Sequence, residues 1–223
     1  MRRGYGTVLV LVVLSFVVQE AAPDTDLTRV VVIWLQAATL AAAVRVAGAS
    51  RPIVRLAAAV GALVAIAAPV LWVAHGSVGD GVTAIATGLL VGVAPIAIAG
   101  GLSRDLFRSG EVTGETLSGV LSIYLLAGMF FSFLFAAVGA LGDDPFFAEI
   151  ADPERPDYLY FSYTTLTSTG FGDLTAATNL GRTLTSIEAL VGTIYLVTIV
   201  GLIVANLRPR RRAPGAAPAE EER

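Results

Sequence analysis

Residues 165–174 read TLTSTGFGDL. Hydroxyl side chains at Thr165, Thr167, Ser168 and Thr169 lead into Gly170 and Gly172, which bracket Phe171, and Asp173 follows. Alternating glycines open backbone conformations closed to other residues, so successive carbonyl oxygens can face one axis. Carbonyls gathered around an axis can replace the hydration shell of a cation. A second carboxylate of interest, Glu188, lies downstream in an apolar stretch, where ionised groups are expensive.

The elements that must position these residues are apolar. Of 223 residues 55% are hydrophobic and only 15% charged, against the ~25% usual for soluble domains. The apolar residues come in long blocks, and about 20 of them cross a bilayer as a helix. Candidate spans are Tyr5–Ala22, Leu27–Gly48, Pro52–His75, Gly81–Ser103, Leu117–Leu141 and Leu180–Leu207. The expected fold is therefore an all-α integral membrane protein of six transmembrane helices. A re-entrant segment lies between helices five and six, because non-helical backbone at membrane depth survives only when buried in protein or lining a watery cavity. PDYLYFSYTTLT predicts a half-helix of about three turns, started by Pro156 and Asp157, whose negative dipole end favours a cation. The first span has the basic start of a signal peptide, but Gln19 and Glu20 spoil the cleavage site, so it reads as a retained helix.

Every basic residue is arginine. Twelve fall on one side of this topology (Arg2, Arg3, Arg45, Arg51, Arg55, Arg104, Arg108 and the five from Arg208 to Arg223) and three on the other (Arg29, Arg155, Arg182). The positive-inside rule then makes both termini cytoplasmic and brings the quoted stretch in from outside. The reading is a multi-pass protein of the cell (plasma) membrane. Residues 1–110 form a four-helix unit, 111–207 hold the re-entrant segment, and 208–223, rich in Pro, Ala and blocks of charge, form a disordered tail. With no cysteine and one histidine, thiolate and His-cluster metal sites are excluded, and no nucleic-acid motif is present.

Thr165-Leu166-Thr167-Ser168-Thr169-Gly170-Phe171-Gly172-Asp173 resembles the T-x-T-T-V-G-Y-G-D signature of the potassium channel pore family, framed by two spans over residues 117–207. The resemblance implies a selectivity filter in which Ser168 supplies a hydroxyl and a carbonyl to the innermost ion site. Thr169, Gly170 and Phe171 would add carbonyls, and Gly172 would permit the exit turn. Thr167 and Asp173 support the filter, Asp173 from behind. Gly181-Arg182 falls where that family starts its inner helix, and Gly192 where it places a gating hinge. The resemblance also implies a homotetramer, since one chain supplies a quarter of the ring. Potassium is then the permeant ion and the only metal, at the filter. No cofactor, small-molecule substrate or enzymatic activity is expected, and lipids are the remaining partners. Phe171 stands where the family has tyrosine, Ser168 where it has threonine, and Thr169 puts a hydroxyl where it has valine.

The fourth span, unlike that of voltage-gated relatives, carries no arginine, so little charge is available to move in a field and weak or absent voltage dependence follows. Glu188 is expected to bond hydroxyls behind the filter, such as Thr164 or Thr165, or else to be a hydrated helix-start carboxylate. Gly192 serves as a hinge or as a close-packing contact; Gly88 and Gly92 form a packing face. The run FFSFLF in the fifth span reads as a face for lipid and helix packing. His75 reads as a solvated interfacial residue, and Arg45 snorkels to the interface. The outer connection carries Asp143, Asp144, Glu149, Asp152, Glu154 and Asp157, either gathering cations at the mouth or simply solvated.

Two other functions compete: a non-selective monovalent cation channel with the same pore, favoured by Thr169, and an intramembrane aspartyl protease. Gly170-Phe171-Gly172-Asp173 matches the G-x-G-D of such enzymes. A protease needs two carboxylates sharing one site, and the other aspartate near a late span, Asp105, belongs to the opposite side.

Overall fold

A computed structural model describes residues 4–23, 25–75, 80–109 and 112–207. The tail 208–223 and the His75 side chain lie outside the described residues. The chain forms α1 (Tyr5–Ala21), α2 (Asp26–Val46), α3 (Arg51–His75), α4 (Asp80–Ser109), α5 (Gly114–Leu141), α6 (Arg155–Leu166) and α7 (Asn179–Leu207). Among the described residues the only β pairing is one bridge, Phe147 with Ala176.

Helix starts follow local chemistry. Thr25 Oγ1 accepts from the Thr28 amide before α2, and Thr113 and Thr116 cap each other reciprocally before α5. Ahead of α6 the Glu154 amide donates to Asp157 Oδ2, and Pro156 occupies the first turn, where its missing N–H costs nothing. Among the described residues four helices are long and apolar enough to cross a membrane: α2, α4 (over 84–105), α5 and α7 (over 179–199). At 17 residues α1 is shorter, and α6, with 12 residues, reaches only ~18 Å.

The pairs α1/α2, α2/α3, α4/α5 and α5/α6 run antiparallel, whereas α6 and α7 run parallel, Ser162 beside Glu188 and Leu166 beside Gly192, and the contacts show which ends meet. Tyr5 N donates to Glu115 Oε2 at 2.7 Å, so α5 supplies a carboxylate to the N-terminus of α1. Arg104 donates to the Gly48 carbonyl at 3.4 Å, bringing the C-terminal ends of α2 and α4 to that same end. Here Arg45, Arg51, Arg55 and Arg104 gather.

Apolar burial yields little between helices that already sit in hydrocarbon, and close packing of small residues takes over. Gly92 admits the Phe130 ring, 3.0 Å from where a Cβ would stand, and Gly88 admits Phe133. This is the packing role expected of those two glycines. One continuous cluster joins Val8 and Val12 of α1, Leu40 and Val44 of α2, Leu90 and Ile98 of α4, Leu126 and Met129 of α5, and Leu159 of α6. The core therefore runs across residue 110. The FFSFLF run points inward: Phe131, Phe133 and Phe135 are buried, and Phe131 and Phe135 join Phe146, Phe147, Tyr158 and Phe161 in an aromatic cluster. The lipid-facing part of that expectation is corrected; edge-to-face geometry with the loop and α6 takes these rings out of the lipid surface.

Candidate functional site

The stretch 167–173 lies against the C-terminal end of α6 and meets α7 through Ser168 and Thr193. Four consecutive amides fold back onto the last turn of that helix. Thr167 N donates to Tyr163 O, Ser168 N to Thr165 O, and both Thr169 N and Gly170 N to Thr164 O, at 2.8–3.1 Å. These bonds occupy helix-end carbonyls that would otherwise lack partners. They also turn the loop's own carbonyls away. Among the described residues none of the carbonyls of residues 168–172 accepts a hydrogen bond.

Backbone handedness alternates along the same stretch. Ser168 (φ 56°), Gly170 (φ 50°) and Gly172 (φ 78°) are left-handed, whereas Thr169 and Phe171 keep negative φ. Alternation of this kind aligns successive peptide dipoles instead of opposing them. Glycine adopts it freely at 170 and 172; Ser168 is the one non-glycine residue among those described with positive φ. Residues 167–173 are all exposed, Phe171 to 68%.

Side chains hold the ribbon from behind. Tyr160 OH donates to Asp173 Oδ2 at 2.8 Å, and the Tyr160 and Phe171 rings lie parallel, 4° apart in plane with centroids 6.2 Å apart. Phe171 thus keeps a ring contact where it has no hydroxyl to offer. Thr167 Oγ1 donates to Tyr163 O at 2.7 Å and lies 2.9 Å from Thr169 Oγ1, so the Thr169 hydroxyl has a partner within the loop. Ser168 Oγ reaches α7, 3.0 Å from Thr193 Oγ1.

Two tyrosines staple α6 to α5, Tyr163 OH donating to Leu125 O at 2.6 Å and Tyr124 OH to Leu166 O at 3.3 Å, and a third joins α7 to α5, Tyr195 OH donating to Val120 O at 2.6 Å. Gly128 lets the Tyr163 ring onto α5, where a Cβ would stand 2.7 Å from it. Gly192 lies directly on the Leu166 carbonyl, with no room for a side chain. That gives Gly192 a packing reason independent of any hinge, and α7 passes through it as continuous helix.

Glu188 is fully buried. Its partner is Ser162 of α6, whose Oγ donates to Glu188 Oε1 and also lies 2.7 Å from Gly128 O. The expected partners Thr164 and Thr165 are replaced by a residue nearly one turn earlier, because α6 crosses α7 with its Ser162 face inward. Thr164 Oγ1 bonds Phe161 O instead.

The loop between α5 and α6 has a task that its charges do not announce. Thr175 donates to Glu149 twice, N to Oε2 at 2.7 Å and Oγ1 to Oε1 at 2.6 Å. Ala148 N bonds Thr175 O, Ala177 N bonds Phe146 O, and Arg182 Nε bonds Ala176 O. The segment leaving Asp173 is thereby clamped. The Thr175 hydroxyl and amide hold the Glu149 carboxyl below its ordinary range, with the nearby Asp173 charge opposing them. Glu149 and Asp157 therefore also have structural partners, beyond the cation-gathering or solvated roles expected of the loop acids.

Asp173 and Glu149 lie within reach of one another's field, but Tyr160 holds one and Thr175 the other. Asp105 lies beside Arg104, near the arginine-rich end of the bundle. A proton-sharing pair of carboxylates is not assembled at 170–173. No group of three or more His, Asp or Glu side chains converges among the described residues. The concentration of oxygen lies in the backbone and hydroxyls of 167–172.

Comparison with known proteins agrees with where this geometry falls. The family described as "Ion channel" matches residues 119–208. The potassium voltage-gated channel subfamily A member 10 of Mus musculus and its Homo sapiens counterpart are each 28% identical to this chain over 101 residues, 43% of this chain. The match spans 19% of the length of either relative. No solved structure matches the chain.

Proposed function

We propose that residues 119–208, which match the family described as "Ion channel", form a potassium channel pore, and that this chain is one subunit of a homotetrameric, potassium-selective channel. Its filter is the backbone ribbon Ser168–Gly172. One observation carries the reading: the ribbon's first amides are spent on α6, its handedness alternates, and its carbonyls have no donor among the described residues. Five carbonyls left without hydrogen at membrane depth need either water or a cation. The C-terminal dipole of α6, aimed at the start of the ribbon, favours the cation.

A single copy cannot surround an ion. The exposed hydroxyls of Ser168, Thr169 and Thr193, beside an inner helix whose apolar side chains are also largely exposed, fit a surface shared with further copies around a water-filled axis. The Tyr160–Asp173 bond, the Phe171 stack and the Thr167–Thr169 contact support selectivity, since each restrains the ribbon against collapse or widening. Six membrane crossings with α6 re-entrant, arginines inside and both termini cytoplasmic complete the topology. Gly192, besides its packing role, is the position at which a glycine-weakened helix can bend for gating. The absence of charge along 84–103 makes the channel weakly voltage-dependent or voltage-independent.

Reversal potentials of the purified chain in lipid vesicles, measured under opposed potassium and sodium gradients, test this proposal. A reversal near the potassium equilibrium potential is expected. A reversal near zero would favour a non-selective cation pore, the reading that the Thr169 hydroxyl supports. No current would remove both.

A further inference from the structure

The contact between Ser168 and α7 resolves further than its distance alone. Ser168 Oγ and Thr193 Oγ1 are 3.0 Å apart, and by geometry either hydroxyl could donate. Thr193 Oγ1, however, also lies 2.9 Å from the Ala189 carbonyl, which can only accept. A threonine hydroxyl carries one hydrogen. Donating it along its own helix to residue i−4 leaves Thr193 to act toward Ser168 as acceptor alone. The hydrogen between the two hydroxyls therefore belongs to Ser168. With that hydrogen drawn off toward α7, the lone pairs of Ser168 Oγ remain for the exposed side of the ribbon.

A second feature converges on the same residue. Ser168 holds a left-handed backbone without being glycine, a conformation that persists only where surroundings over-determine it. Its amide is tied to Thr165 O at 2.8 Å and its side chain to Thr193, one anchor on α6 and one on α7. Ser168 also opens the carbonyl ribbon.

We propose that Thr193 is a positioning residue of the filter: by accepting the Ser168 hydroxyl hydrogen, it fixes Ser168 Oγ as a cation-facing acceptor at the innermost ion site. The inference rests on the carbonyl-filter reading above. It adds to that reading a proton direction, Ser168 to Thr193 to Ala189, and a residue outside the filter segment. Replacing Thr193 by valine keeps the shape and removes the acceptor. The Ser168 hydroxyl is then free to turn its hydrogen toward the axis, where it repels a cation.

The test uses the full-length chain in lipid vesicles with barium applied from the side of the inner helix ends. Barium is a doubly charged probe for an oxygen cage of potassium size. In the parent channel, barium block is expected. Thr193→Val is expected to keep potassium current and weaken the block about tenfold, equivalent to ~1.4 kcal/mol, and Thr193→Ser to restore it. In a Ser168→Ala background, Thr193→Val should have no further effect on block, an interaction that a merely structural role of Thr193 would not show. Should Thr193→Val fail to assemble, Thr193→Cys, a poor acceptor of similar size, takes its place with the same expected loss. Equal block in the parent and in Thr193→Val, failure of Thr193→Ser to restore it, or additive effects with Ser168→Ala would each overturn the inference while leaving the filter reading intact. A parent without potassium current would remove both.

Discussion

Two buried contacts of α7 set opposite demands on substitution. Glu188 receives the Ser162 hydroxyl at a fully buried position. Glu188→Gln keeps an oxygen there and should leave stability nearly unchanged. Glu188→Leu removes it and should cost about 1–2 kcal/mol, read as a lower unfolding temperature of the detergent-solubilised protein. At Gly192 the problem is space. A methyl group meets the Leu166 carbonyl, so Gly192→Ala should destabilise by about 1–3 kcal/mol. Gly201→Ala, on the same helix with nothing within 4 Å of its Cβ position, should be neutral or slightly stabilising. Tyr160→Phe separates the two supports of the ribbon: the ring stays parallel to Phe171, but Asp173 loses its donor. Potassium-over-sodium permeability from reversal potentials should fall, while the assembly survives gel filtration.

At the scale of elements, the clamp between the α5–α6 loop and residues 175–177 depends on an ionised Glu149. Its carboxyl lies below the ordinary value of 4.5 in the folded chain, so the clamp contributes fully above that value and is lost as pH falls through the lower folded-state one. Hydrogen exchange at Ala148, Thr175 and Ala177 should accelerate on that acid side. In Glu149→Gln the exchange should be faster already at neutral pH and lose its acid step. None of this was legible in the chain, because a loop carboxylate 26 residues from its partner leaves no periodic trace. The helices were legible, since a crossing announces itself by run length. So was the unusual backbone of 168–172, left-handed at Gly170 and Gly172, because glycine alternation after a short polar helix is a local pattern. The partner of Glu188 was not, since which turn of α6 faces α7 depends on a crossing that sequence spacing does not encode. The inward turn of Phe131, Phe133 and Phe135 was hidden likewise: an all-apolar helix has no polar face to reveal which side meets protein.

For the whole molecule, α1 does more than precede the others. Its amide end is held by Glu115, and Phe16 meets the Tyr163 ring edge-on with centroids 5.0 Å apart, so the first helix bears on the one that leads into residues 167–173. Phe16→Ala should therefore lower thermal stability and speed exchange at the amides of 167–170, although residue 16 is remote from them in sequence. The uncharged middle of α4 makes a second expectation: open probability should change by less than e-fold over several tens of millivolts, read from single-channel records across a voltage range.

The donor-free carbonyls of 168–172 also bear on biogenesis. A solitary chain in the bilayer would carry that ribbon with neither water nor neighbours to satisfy it, at several kilocalories per group. In the tetramer proposed above, ordering of the loop and oligomerisation would be one event rather than two. Newly inserted chains should remain loop-disordered and protease-sensitive until enough of them have met, so that surface density governs how much of the protein ever matures.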